Sequence, residues 1–185
     1  ASIEKKIKAN LEDMLKNDRE NYEKLFDNFG LNMKFGIYQD YGMHKDILQD
    51  LILYKSSKEE KYVTLKEYVD RMKEDQKDIY YACGETIDKI DLLPQVEAAK
   101  EKGYEILYCT EYVDEFALMT LRSYEEKEFK NVCSENANLE TEEEKKELEE
   151  KNTEAKEMFT FMQEVIPDVK AIKFTNKLKN HPVCL

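Results

Sequence analysis

The 185-residue sequence predicts a mixed α/β chain: helices first, then an α/β segment, then a further helix and strand. Three observations carry this. Charged residues make up 38% of the chain while there are only 5 Gly and 3 Pro, a composition that favours long solvated helices over a turn-rich β protein. A strand-like run, a helical pattern and a second strand-like run fall within residues 79–109, the length of a parallel crossover unit. Residues 169–174, VKAIKF, alternate apolar and charged like a half-exposed strand.

The elements follow in order. Ile3, Ile7, Leu11, Met14 and Leu15 recur at helical spacing and form one amphipathic helix. NDRE at 17–20 interrupts it; Tyr22, Leu25, Phe26 and Phe29 define a second helix that Gly30 ends. LNMKFGIYQDYG reads as irregular, and Ile47, Leu48, Leu51 and Ile52 predict a third helix over Lys45–Tyr54. The charged run KSSKEEK, 55–61, is the candidate subdomain boundary. Thr64 then caps a helix, with Glu67 closing a capping box and Val63 against Tyr68 as a hydrophobic staple.

IYYAC, Ile79–Cys83, is too short for a helix and rich in residues that suit a pleated surface, so it reads as a buried strand. Gly84 permits a turn and Thr86 caps a helix through Ile87, Ile90, Leu93, Val96 and Lys100, with Pro94 awkward inside it. Gly103 stops that helix, EILYC (Glu105–Cys109) is the second strand, and a right-handed βαβ unit is expected. DEFALMTLRSY, Asp114–Tyr124, is helical: Ala117, Leu121 and Tyr124 share one sector with Leu118 at its edge, and Phe116 and Met119 project on the opposite side. Thr141 and Glu144 repeat the capping box at the start of a long acidic helix that buries Met158, Phe161, Met162 and Val165 and ends at Pro167.

Composition excludes several classes. A net charge of -12 repels a nucleic-acid backbone or an anionic lipid surface, so neither is a main partner. No apolar run approaches the roughly 20 residues that span a bilayer. Cys83, Cys109, Cys133 and Cys184 lie far apart without a C-x-x-C, and read as reduced core residues of a cytoplasmic protein. His44 and His181 offer no zinc spacing and no nucleophile motif, and no phosphate-binding glycine pattern is present. Asp114 with Glu115 reads as a pair of cap and dipole partners rather than an acid and a base.

TLKEYVDRMKEDQKDIYYACGET closely resembles a signature of the heat-shock protein 90 family of molecular chaperones, in its bacterial HtpG type. NYEKLFDNFGLNMKFGI, GYEILYCTEYVDEFALMTL, YEEKEFKNV and KLKNHPVCL continue the resemblance in order along essentially the whole chain. It implies an internal fragment: residues 1–57 a helical connector of the middle domain, 58–140 a small three-layer αβα subdomain, and 141–185 the first helix and strand of a C-terminal domain. It further implies a homodimeric ATP-dependent parent that remodels unfolded or partly folded clients. The ATP and Mg site, the N-terminal ATPase domain and the C-terminal dimerisation segment would lie outside this chain, so the fragment by itself is expected to hold no cofactor and to be no enzyme. The resemblance places the 114–124 helix near the family's client-binding region, making Tyr112, Glu115, Phe116 and Met119 the candidate contact residues. The alternative is a stand-alone acidic α/β protein-binding scaffold without an ATPase parent.

Overall fold

A computed structural model describes residues 2–58, 61–74, 76–134, 137, 139–140, 142–176 and 183. The chain divides into two compact units, residues 1–137 and 138–185.

The first unit opens with α1 (Ser2–Asn17) and α2 (Arg19–Gln39). Gly30 does not end α2, contrary to the expectation; the helix runs on to Gln39 and takes up most of the stretch that reads as irregular. The glycine serves packing instead of termination, because a Cβ there would meet the Phe26 ring at 2.5 Å. The expected third helix over 45–54 is one short turn, α3 (Lys45–Leu48), followed by β1 (Leu53–Ser56). Leu51, Ile52, Leu53 and Tyr54 are all buried. A run buried on every side has no periodicity to distinguish helix from strand. The charged run 55–61 connects β1 to β2 (Tyr62–Thr64), which pair antiparallel with Lys55 opposite Tyr62.

Thr64 starts α4 (Leu65–Asp70) with the expected capping box: the Glu67 N–H donates to Thr64 Oγ1 at 3.0 Å and the Thr64 N–H to Glu67 Oε2 at 2.8 Å. Arg19 from α2 also bonds this glutamate, at 3.1 Å, tying the helical segment to the sheet.

β3 (Ile79–Cys83) lies inside a six-stranded sheet of order β2-β1-β4-β3-β6-β5. β4 (Leu107–Cys109) pairs parallel with it, Tyr81 against Leu107 and Cys83 against Cys109. The crossover is two helices rather than one: α5 (Ile87–Asp91), capped by Thr86, and α6 (Pro94–Glu101). Pro94 is the first residue of α6, where its missing N–H costs nothing, so the proline divides the predicted helix. α7 (Tyr112–Leu121) ends earlier than the predicted Tyr124, because Arg122 takes φ 66 and turns the chain into β5 (Ser123–Tyr124). β5 forms a hairpin with β6 (Lys127–Asn131), which also pairs parallel with β3.

Strand side chains alternate. Tyr54, Tyr81, Leu107 and Cys109 join a core with Phe26 and Ile37 of α2 and Leu118 and Leu121 of α7. Tyr108, of opposite parity, sends its hydroxyl to Asp91 of α5 at 2.6 Å. The sheet is thus covered on both faces by helices. Of the cysteines among the described residues, only Cys109 is buried; Cys83 is half-buried, and Cys133, in the turn after β6, is exposed rather than a core residue. Cys184 lies outside the described residues.

In the second unit, α8 (Glu142–Glu154) and α9 (Lys156–Val165) meet at a break at Ala155 in place of one continuous helix. The capping box at Thr141 lies outside the described residues. The expected buried set is corrected: Met158, Phe161 and Val165 are exposed, Met162 is half-buried, and Phe159 is the buried residue of α9. Its ring meets Phe174 edge-on at 4.9 Å, while the Phe174 N–H donates to Asn152 Oδ1 at 2.7 Å. These contacts use 169–174 as an irregular segment, not a strand. Alternation supplies one strand's pattern, but a strand requires a neighbour to pair with, and among the described residues this segment has none.

Candidate functional site

Only Thr110 and Glu111 separate β4 from α7, so the first turn of α7 is fixed by the sheet. Asp114 does two jobs there. Its Oδ2 accepts from the Glu111 N–H at 3.0 Å, closing a capping box, and its Oδ1 lies 2.6 Å from the Lys34 ammonium of α2. Both side chains of that ion pair are buried, and Lys34 Nζ also stands 4.1 Å above the Tyr54 ring. Such a pair needs both partners, since either charge alone would be stranded in a low-dielectric core. It locks α2 against α7. Tyr38 against Phe116, four residues on from Lys34 and two on from Asp114, shows that the two helices run side by side in the same sense.

On the outer side of this helix pair lies an apolar stripe. Tyr112, Phe116 and Met119, at i, i+4 and i+7, are 69%, 46% and 62% exposed. On α2, Leu31 and Tyr38 are exposed; the Tyr38 and Phe116 rings are 5.3 Å apart, and the Phe35 and Tyr38 rings 6.1 Å. Three of the four predicted candidates therefore share one surface. Glu115 is different: its Oε1 accepts from the Tyr81 hydroxyl and from Asn131 Nδ2, both at 3.2 Å, which turns it towards the sheet. The α2 members, Leu31, Phe35 and Tyr38, were hidden in the stretch read as irregular, although their spacing of four and three residues is the helical signal.

Elsewhere in this unit, a cleft of about 210 Å³ is lined by Ser57, Tyr68, Arg71, Lys100, Tyr104 and Glu105 among others. Three of its charged groups are engaged: Arg71 with Glu105 at 2.7 Å, and Lys100 with Asp91 at 3.0 Å. Among the described residues, no three His, Cys, Asp or Glu side chains converge as a metal ion would require, and no helix is long and apolar enough to cross a membrane.

Comparison with known proteins decides the family. The profile of the Hsp90 protein family matches residues 2–185. The chain belongs to that family. It is 53% identical over 184 residues to the chaperone protein HtpG of Clostridium acetobutylicum, covering 99% of this chain and 29% of that protein. It is 51% identical over 185 residues to HtpG of Bacillus subtilis, covering 100% of this chain and 30% of that protein, and 54% identical over 184 residues to HtpG of Alkaliphilus metalliredigens. The chain thus spans less than a third of the length of these Hsp90 relatives. The resemblance read from the sequence motifs holds along the whole chain.

Proposed function

We propose that this chain is the middle and C-terminal segment of an HtpG-type chaperone and that the α2–α7 face contacts unfolded or partly folded client proteins. The observation that carries this reading is the stripe of Tyr112, Phe116 and Met119 on a helix whose opposite side is already buried against the sheet. Met and aromatic side chains adapt to varied apolar partners, as a chaperone surface requires. Glu115 acts through the sheet, holding the helix by its bonds from Tyr81 and Asn131. On this reading residues 1–57 are the helical connector, 58–140 the small middle subdomain and 141–185 the opening of the C-terminal domain. The parent is a cytoplasmic homodimer that uses ATP and Mg at a site outside this chain, and its direct partners are its own N-terminal ATPase and C-terminal dimerisation segments as well as clients. High identity over the whole chain to proteins named chaperones favours this over a stand-alone scaffold.

The test is fluorescence anisotropy of a labelled, permanently unfolded protein titrated with this chain and with its Phe116→Ser/Met119→Ser variant. Loss of two exposed anchors should weaken binding by about tenfold or more, while urea denaturation shows stability within about 1 kcal/mol. Unchanged affinity, or a stability loss of several kcal/mol, would show the stripe to be packing.

A further inference from the structure

Cys83 and Cys109 are the last residues of β3 and β4 and are direct partners in the parallel register. The Gly84 N–H donates to the Cys109 carbonyl at 3.1 Å, which keeps the pairing intact to the strand ends. Adjacent strands lie about 4.8 Å apart, inside the range of about 4.4–6.8 Å between Cα atoms that a disulfide spans. Register partners also point to the same face of the sheet. Both are free thiols.

Their surroundings differ in a way that divides the chemistry. Cys109 is only 3% exposed, in the core formed with α2 and α7. Burial pushes its thiol well above the ordinary range, so it is a poor first nucleophile. Cys83 is half-buried at the sheet's edge of access, beside the turn at Gly84. Core packing explains one small hydrophobe at either position; it does not require cysteine at both of two register partners, one of them only half-buried.

We propose that Cys83 and Cys109 form a redox pair, in which a hydroperoxide oxidises Cys83 and Cys109 resolves it to a reversible cross-strand disulfide. The Cys83 sulfur attacks the peroxide O–O bond, forming a sulfenic acid and, for hydrogen peroxide, releasing one water. The Cys109 sulfur then attacks the sulfenic sulfur; the S–O bond breaks, the Cys109 proton leaves with that oxygen as a second water, and the S–S bond forms. Two thiols lose two electrons in all, and one peroxide is reduced to two waters. Two equivalents of an external thiol reverse the change by exchange. The link would join the two strand ends from which the chain enters α5 and α7.

The experiment uses the full 185-residue chain carrying Cys133→Ser and Cys184→Ser, so that only the pair remains. Native protein is exposed to sub-millimolar hydrogen peroxide, quenched, unfolded and alkylated, then read by intact mass and peptide mapping. The expected result is a mass lower by two hydrogens, complete loss of alkylation at both positions, one Cys83–Cys109 linked peptide, and full reversal by dithiothreitol. Cys109→Ala should instead leave a Cys83 sulfenic acid that dimedone traps, and Cys83→Ala should leave Cys109 reduced at the same dose. Should the double-serine background fail to fold, peptide mapping of the unsubstituted chain reads the same link. Alkylation of both thiols after peroxide, or Cys83 reaching the sulfinic acid while Cys109 stays reduced, would overturn the proposal.

Discussion

The Lys34 ammonium and the Asp114 carboxylate lie 2.6 Å apart with both side chains almost wholly buried, joining α2 to α7 beneath the exposed apolar stripe. Removing one partner strands the other. Asp114→Ala leaves an ammonium among the Tyr54 and Phe26 rings and should cost about 3–5 kcal/mol. Lys34→Met should cost a similar amount, whereas Lys34→Met combined with Asp114→Leu should cost less than either single change, since no uncompensated charge remains. Urea denaturation of the three variants checks the order; a double mutant weaker than both singles would refute it.

Two glycines of the same helix should respond with opposite sign to alanine. Both substitutions gain helix propensity, worth about 1 kcal/mol. At Gly30 the new methyl meets the buried Phe26 ring at 2.5 Å, and overpacking of about 1–3 kcal/mol outweighs the gain. At Gly36 the nearest atom is Leu48 Cδ1 at 3.6 Å, an ordinary contact, so Gly36→Ala should raise the melting temperature while Gly30→Ala lowers it.

Stability should fall in alkali before any arginine is affected. Burial raises the Tyr22 hydroxyl from 10.0 to about 12, partly opposed by Arg19, and burial with the Asp27 hydrogen bond raises Tyr62 likewise to about 12. Tyr54, Tyr68, Tyr81 and Tyr124 are raised too, burial being the largest cause in each. The folded state therefore holds protons that the unfolded chain gives up near pH 10. Their stabilisation is complete below that pH and is lost as pH rises towards and through the folded values. Tyrosinate absorbance should thus rise together with loss of helical circular dichroism in one cooperative step; independent titration of these hydroxyls at pH 10 in a folded protein would contradict the assignment.

The parts of the fold legible from sequence were those set by local chemistry. Thr64 and Glu67 announce a capping box in three residues, and IYYAC can only be a buried strand because it is too short and too β-branched or aromatic for a helix. The misread parts depended on distant partners. Gly30 continues its helix because a ring packs on it, Tyr54 is a strand residue because β2 and β4 flank it, and 169–174 is no strand because nothing among the described residues pairs with it. The candidate site divides the same way. Phe116 and Met119 follow from 100° steps along one helix, while Tyr38 reaches them only through the placement of α2, and the turning of Glu115 towards Tyr81 is visible in three dimensions alone.

The strand order carries a cost during synthesis. Each sheet edge is a hairpin of neighbours in sequence, β1 with β2 and β5 with β6, but β3 pairs only with segments made after it, Cys83 with Cys109 and Ile79 with Phe129. On a growing chain the most apolar strand waits without either neighbour, on the order of seconds at a synthesis rate of about 5–20 residues per second. Loop closure for such distant pairs is slow and leaves strand edges open meanwhile. Until β4 and β6 emerge, IYYAC is therefore the strand of this chain most open to wrong pairing.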